Sequence, residues 1–178
     1  MFGLLRQFAR LLGGKVQPLE ISLGAFFGVL LALTPSRAVD VGTGFASFST
    51  LWLLLLFLFL ALRASIPVAL VLLGLFELFE QLFLGRITSG FGRFLLEDAT
   101  PQSFAIGLSE TWPSAQLHTW WGFGGFLSGL ALGVAVALPF HLFISRRLPA
   151  WRERFGKSRL VKVTSISLTE KAFGWWLG

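Results

Sequence analysis

The chain has 178 residues, of which 54% are hydrophobic and only 13% are charged, and its mean hydropathy is +0.75. A soluble domain of this size carries about twice that share of charged residues, so the composition predicts one integral membrane domain. The chain has no cysteine, which excludes disulfides and thiolate chemistry. The net charge is +6, but the basic residues cluster after an apolar segment, which favours anionic lipid headgroups over nucleic acid as their partner.

Residues 1–15 are predicted to form an amphipathic helix that lies in the membrane interface. Phe8 and Leu12 fall on one face of this helix, and Arg6 and Arg10 fall on the other. The segment is not typical of a cleavable signal peptide, because no compact apolar core or small-residue cleavage site follows it.

Four apolar segments then predict an all-α membrane domain over residues 16–145. The first segment is short and ends at Thr34-Pro35, so it either spans the bilayer or is a re-entrant half-helix, which is tolerated only inside protein or beside a cavity. Ser65 is the predicted N-cap of the third helix. The predicted spans are about 16–34, 41–62, 65–84 and 120–145.

The polar segments between and after the spans complete the predicted organisation. Residues 85–118 are expected to form an external loop with one short amphipathic helix near 91–96. Residues 146–178 are expected to form a basic cytoplasmic tail, and the segment near 168–177 is expected to anchor in the interface through its tryptophans.

The distribution of basic residues predicts the topology. Basic residues precede the first span and follow the last, so both termini are expected in the cytoplasm under the positive-inside rule. This requires an even number of crossings, and four fit the apolar segments. Arg63, the one charge between Val41 and Phe76, then marks a cytoplasmic turn.

Small residues recur at four-residue spacing in the first and last spans, a pattern that allows close approach of membrane helices. They either pack the first span on the fourth or form an interface with a partner protein or a second copy. The similarity of the two stretches also fits an inverted repeat. The residues are Gly24, Gly28, Ala32, Gly125, Gly129, Gly133 and Ala137.

Glu77, Glu80 and Gln81 share one face of the third predicted helix. Charged groups at membrane depth usually face protein, water or a partner, so these three residues are a candidate polar track for a headgroup, an ion or a proton. The alternative is that they are solvated at the outer interface, with Arg86 as a nearby counter-charge.

The basic residues after the last span are candidate ligands for anionic lipid headgroups, and a docking surface for a cytoplasmic partner is the alternative. They are Arg146, Arg147, Arg152, Arg154, Lys157, Arg159 and Lys162.

No specific catalytic or cofactor motif is present in the sequence. There is no P-loop, nucleophile elbow or dinucleotide fingerprint. His118 and His141 lie far apart without acidic residues at ligand spacing, so no metal site is predicted. A non-enzymatic protein without a cofactor is therefore expected.

The stretch from Glu20 to Pro35 resembles an uncharacterised group of small bacterial inner-membrane proteins. The resemblance rests on Gly24, Gly28 and the Thr34-Pro35 pair, on the later run 140–147 and on the basic tail, and it covers most of the chain. In this chain, residues 36–40 are more polar than the apolar continuation expected for the group. The resemblance implies an inner-membrane accessory subunit in envelope lipid homeostasis, and it carries over no catalytic residue.

Two functions remain open from the sequence. The first is a non-enzymatic inner-membrane subunit that docks a larger partner, in envelope lipid transport or homeostasis. The second is a small transporter or channel that uses Glu77 and Glu80. An intramembrane enzyme has little support, because no base is organised beside a serine.

Overall fold

The computed structural model describes residues 17–39 and 46–156, and the side chains of the last helix up to Arg147. This part of the chain is helical apart from one two-stranded hairpin, which confirms the expected all-α class. The helices and strands are α1 (Pro18–Leu33), β1 (Arg37–Val39), β2 (Ala46–Phe48), α2 (Thr50–Ala61), α3 (Ile66–Phe79), α4 (Gly85–Arg93), α5 (Gln102–Thr111) and α6 (Trp120–Gly156).

Two π-helical segments make one long helix out of α3 and α4. Glu80–Leu84 joins the two helices, and Phe94–Ala99 extends the second. Ile66–Ala99 is therefore an uninterrupted helical run of 34 residues. Further along, a short 3-10 turn at Pro113–Ala115 lies between α5 and α6.

Helix α1 is the centre of the fold. From Ile21 to Leu33 its side chains are buried or half-buried on all sides, and Ala25, Val29 and Leu33 are fully enclosed. Phe27 belongs to a core cluster with Phe59 of α2, and their ring centroids are 5.8 Å apart. An apolar helix without a polar face has no surface suited to water, so burial on every side is the expected outcome for this sequence.

The glycines of α1 pack against the start of α3. A Cβ added at Gly24 would lie 2.5 Å from the Ser65 carbonyl oxygen, and one at Gly28 would lie 2.6 Å from that of Ala69. The two helices run parallel, since both contacts advance by four residues. Ser65 is the N-cap residue of α3 as expected, but its side chain makes no capping hydrogen bond. Its backbone N–H donates instead to the Glu20 carbonyl at 2.8 Å.

The glycines of α6 pack against α1 in the opposite direction. Gly125 approaches the Leu33 carbonyl, Gly129 lies against Leu30, and Gly133 lies against the Phe26 ring. The last helix therefore packs on the first, as one of the two sequence interpretations expects, whereas the α1 glycines contact α3. Within the described residues, both glycine stripes are in contacts inside this chain.

The second helix differs from the expected span 41–62. It begins at Thr50, because the preceding chain pairs as an antiparallel hairpin in which Arg37 lies opposite Phe48. The Ser49 N–H donates to the Ser36 carbonyl at 2.9 Å and closes the hairpin on that side. Strands of three residues are too short to leave a periodic pattern in the sequence.

The segment 85–118 is helical over most of its length: the short helix expected near 91–96 is part of a longer helical run, and most of the expected loop is helix. Helix α4 holds three glycines and several polar residues, so its helix propensity is low. It is fixed by backbone contact with α6, because Gly92 meets the Trp120 carbonyl and Gly124 meets the Thr88 carbonyl. These contacts join residues distant in sequence, which explains why local pattern did not reveal them.

Two helical runs are long and apolar enough to cross a bilayer by length and composition, Ile66–Ala99 and Trp120–Arg147. Helices α1 and α2 have 16 and 12 residues, about 24 Å and 18 Å long, which is less than the roughly 30 Å of a hydrocarbon core. The basic segment expected as a tail from residue 146 begins as a continuation of α6 to Gly156. The expected interfacial helices at 1–15 and near 168–177 lie outside the described residues.

Candidate functional site

A pocket of about 930 Å³ lies where α1 ends. We call it the carboxylate pocket, because Glu77 and Glu80 line it. The remaining lining comes from the end of α1, from Trp52 of α2, from the π-helical segment after α3 and from Trp121 of α6. In full, the lining residues are Leu31, Ala32, Thr34, Pro35, Ser36, Trp52, Leu73, Glu77, Glu80, Gln81, Leu82, Phe83, Gly85, Arg86 and Trp121.

The pocket exists because α1 is shorter than its neighbour. The two helices run parallel from the hydrogen bond between Ser65 and Glu20. At 1.5 Å per residue, Leu33 lies about 20 Å beyond Glu20, and Glu77 lies about 18 Å beyond Ser65. The acidic residues of the long helix therefore come at the level where α1 stops and no longer fills the space beside it.

Pro35 and Thr34 define the end of α1. Pro35 has no N–H to donate to the Leu31 carbonyl, four residues earlier, and the helical ladder stops there. The Trp52 indole N–H donates to that carbonyl at 3.1 Å instead. The Thr34 hydroxyl is buried and donates to the Leu30 carbonyl at 2.7 Å. The backbone beside the pocket is thus held by two side-chain donors.

A π-helical segment forms part of the acidic side of the pocket. Glu80 and Gln81 open the segment Glu80–Leu84, in which the hydrogen bonds run over five residues and not four. Such segments are frequent at functional sites, because the extra residue changes the direction of side chains along the helix. Leu82 and Phe83 belong to the same segment and to the same pocket.

Glu80 is fixed by a contact that links distant parts of the chain. The Trp121 indole N–H donates to Glu80 Oε1 at 3.1 Å, across 41 residues of sequence. Glu80 is half-buried, whereas Glu77 and Gln81 are exposed. One carboxylate is therefore held by the protein, and the other is free to reorient toward a ligand.

The electrostatics of the pocket favour a positively charged group. The lining side chains include two carboxylates and one guanidinium, that of Arg86. The C-terminal end of α1 adds carbonyl groups and the negative end of the helix dipole. Trp52 and Trp121 add aromatic rings to the lining, and the face of an aromatic ring attracts cations.

The structure therefore brings Glu77, Glu80 and Gln81 together as the sequence predicts, with Arg86 nearby. It adds Trp52 and Trp121, which the sequence analysis missed, and the end of α1 at Thr34-Pro35, for which a place inside protein or beside a cavity was one of two alternatives. No local signal could have identified the two tryptophans, since each reaches the pocket only through the packing of α1, α2 and α6.

The remaining predicted site residues lie elsewhere. The glycines of the two stripes and Ala32 are buried in helix contacts, and Ala32 also lines the pocket. Arg146 and Arg147 are exposed on α6, and the backbone at Arg152 and Arg154 continues that helix. Lys157, Arg159 and Lys162 lie outside the described residues.

Within the described residues, no three His, Asp or Glu side chains are grouped so that they could hold a metal ion. In the same part of the chain, the buried Ser49 hydroxyl and His118 Nδ1 have no hydrogen-bond partner. Neither residue lines the carboxylate pocket.

Comparison with protein-family models, with curated proteins and with solved structures gives no match. The resemblance to small inner-membrane proteins stays a prediction.

Proposed function

We propose that the chain is a non-enzymatic membrane protein that binds a charged ligand in the carboxylate pocket and passes it across the bilayer, as a small transporter. The observation that carries this proposal is the convergence of Glu77, Glu80 and Trp121 on one pocket. Acidic groups in a helix otherwise as apolar as Ile66–Ala99 are costly unless they face protein, water or a ligand. The pocket provides protein contacts for these groups and space for water or a ligand.

A membrane location is part of the proposal. The two long apolar helices are largely uncovered, since only 6% and 17% of their most apolar stretches are buried. The core helix of a soluble protein is instead mostly buried. Lipid tails are the natural surroundings for the exposed side chains of this surface, among them Leu78, Leu82, Phe83, Leu130 and Leu138.

We further propose two full crossings, by Ile66–Ala99 and by α6, in a bacterial inner membrane. Helices α1 and α2 then enter from the cytoplasmic side and return to it without crossing. Two crossings are an even number, so both basic ends of the chain remain cytoplasmic, as the positive-inside rule requires. Arg63 stays on the cytoplasmic side, and Glu110 of α5 lies outside.

An accessory subunit that docks a larger partner is the first of the two functions that the sequence left open, and it is kept here as the alternative proposal; envelope lipid transport is the role that the resemblance implies. The glycine stripes do not support it, because their contacts are made within the chain. A docking surface would have to lie on the basic segment or on the exposed apolar faces. The contacts of anionic lipid headgroups with the basic segment likewise remain a proposal.

The transporter proposal is tested by thiol accessibility, for which the cysteine-free chain is well suited. Gln81→Cys places a thiol in the pocket, and Leu78→Cys, one turn earlier, places a matched thiol on the exposed apolar face. We expect a membrane-impermeant thiosulfonate to label Gln81→Cys in sealed vesicles of both orientations, because a transporter opens its site to each side in turn.

Leu78→Cys should remain unlabelled in both vesicle orientations, and Glu110→Cys should label in only one. The proposal of a transporter is wrong if Gln81→Cys is labelled from one side only. The proposal of a hydrated pocket is wrong if Gln81→Cys resists the reagent in both orientations while Glu110→Cys reacts.

A further inference from the structure

We infer that the ligand of the carboxylate pocket is an amphiphile whose polar head carries an ammonium group. This inference rests on the proposed function and names the class of its ligand. It is based on the size of the pocket, the charge of its inner surface and the apolar residues at its edge.

The size of the pocket argues for an organic ligand. Its volume is about 930 Å³, near the upper end of the roughly 300–1,000 Å³ found for small-molecule sites. A bare cation is held by ligands about 2–2.6 Å away, which requires a far smaller cage. The pocket therefore suits a polar head with several attached carbons.

The charge of the inner surface selects a cationic head. Glu77 and Glu80 supply two carboxylates near the C-terminal end of α1, where the helix dipole also favours positive charge. Trp52 and Trp121 add aromatic rings, and ammonium groups bind to the negatively polarised face of such rings through cation–π interaction. Arg86 is the one cation of the lining, and it is exposed, so it can meet an anionic group on the same ligand, such as a phosphate.

The edge of the pocket selects an apolar body for the ligand. Leu82 and Phe83 line the pocket and are 63% and 65% exposed. They continue the uncovered apolar surface of the long helix, along which Leu78 and Phe79 also lie. A hydrocarbon chain attached to the ammonium head would follow this surface and leave the head beside the two carboxylates.

The test is equilibrium binding of radiolabelled decyltrimethylammonium to the full chain in maltoside micelles. We expect saturable binding, weakened by about tenfold or more in the double variant Glu77→Gln/Glu80→Gln, because both charged partners of the head are lost. The variant Glu97→Gln/Glu110→Gln makes the same change in net charge outside the pocket and should bind as the natural chain does.

Competitors identify the part of the ligand that is recognised. Decyl sulfate, with the same chain and the opposite charge, should not displace the label, and tetramethylammonium should displace it only at much higher concentration. Displacement by short-chain phosphatidylethanolamine but not phosphatidylglycerol would identify a lipid headgroup as the source. Displacement by single-chain amines alone would identify a non-lipid amphiphile.

The inference is overturned if decyl sulfate competes equally, if both double variants bind alike, or if no saturable binding occurs to protein with native helical circular dichroism. None of these results affects the thiol labelling of Gln81→Cys, which tests the pocket as a hydrated transport site. A labelled pocket without ammonium binding would therefore reject the ligand class alone.

Discussion

Pro35 removes one hydrogen-bond donor from the end of α1, and Trp52 replaces it from another helix. The carbonyl that accepts this bond belongs to Leu31, whose side chain is buried. A buried acceptor without a partner costs about 1–3 kcal/mol. The position of α2 beside the pocket is thus coupled to a single indole N–H.

We expect Trp52→Phe to lower the stability of the fold by about 1 kcal/mol or more. An aromatic ring remains at this position, but the indole N–H that donates to the Leu31 carbonyl is lost. The measurement is the thermal midpoint of helix loss, followed by circular dichroism in maltoside. Trp112→Phe is the matched control, because within the described residues the structure shows no hydrogen bond from that indole. Equal midpoints for the two variants would contradict this role of Trp52.

At the level of single residues, the sequence predicted the acidic part of the site. The spacing of Glu77, Glu80 and Gln81 is enough to place them on one face of a helix. The indoles could not be assigned in the same way. Trp121 reaches Glu80 across 41 residues, and that contact depends on the packing of α6, which no local pattern encodes.

At the level of helices, close approach at glycines, which have no side chain of their own, sets the position of α1. Its two glycines lie against the backbone of α3, and those of α6 lie against α1 from the other direction. Membrane helices without a hydrophobic driving force between them depend on such close approach. These contacts also fix the geometry of the site, since the end of α1 forms one wall of the pocket.

Gly28→Ala should destabilise the fold by about 1–3 kcal/mol, because its methyl group would meet the Ala69 backbone. Gly74→Ala is a matched control on α3, since an added Cβ there meets nothing within 4 Å. That substitution should be neutral or stabilise by up to about 1 kcal/mol through helix propensity. Thermal midpoints of the two variants measure the difference.

If both alanine variants retained the natural midpoint, the contact between α1 and α3 would not stabilise the fold. The sequence identified these glycines but left open what they contact. Four-residue spacing specifies a face suited to close packing and does not specify the helix that covers it. The full length of the helix at 85–99, of which only a short part near 91–96 was expected, was missed because backbone contacts with distant residues stabilise it. The hairpin was missed because its strands have only three residues each.

At the level of the whole molecule, the described fold favours our proposal of two crossings over the four that hydropathy alone suggests. Apolar length alone suggested four crossings, but α1 and α2 are shorter than a bilayer core. The argument from the distribution of basic residues holds equally for two crossings and for four. Both schemes keep Arg63 on the side of the basic termini, because each has an even number of crossings in total and returns the chain at that turn.

We expect Arg63→Cys and Glu110→Cys to be labelled by an impermeant thiol reagent from opposite sides of the membrane. Both residues are exposed, and Ile66–Ala99 is the one candidate span between them. The measurement compares right-side-out and inverted vesicles, with labelling after detergent lysis as the control for reactivity. Labelling of both variants from the same side would exclude a crossing by this helix.

The enclosure of α1 also has a consequence for biosynthesis. Helix α1 is the first described helix to leave the ribosome, yet Gly125, one of the residues that cover it, is made about 90 residues later, or about 5–20 s at ordinary elongation rates. During that interval the buried hydroxyls of Ser22 and Thr34 are satisfied within α1 itself, by the Leu19 and Leu30 carbonyls. In the membrane location that we propose, the helix can therefore remain in lipid or in the insertion machinery without an unpaired hydroxyl until α6 is made and covers it.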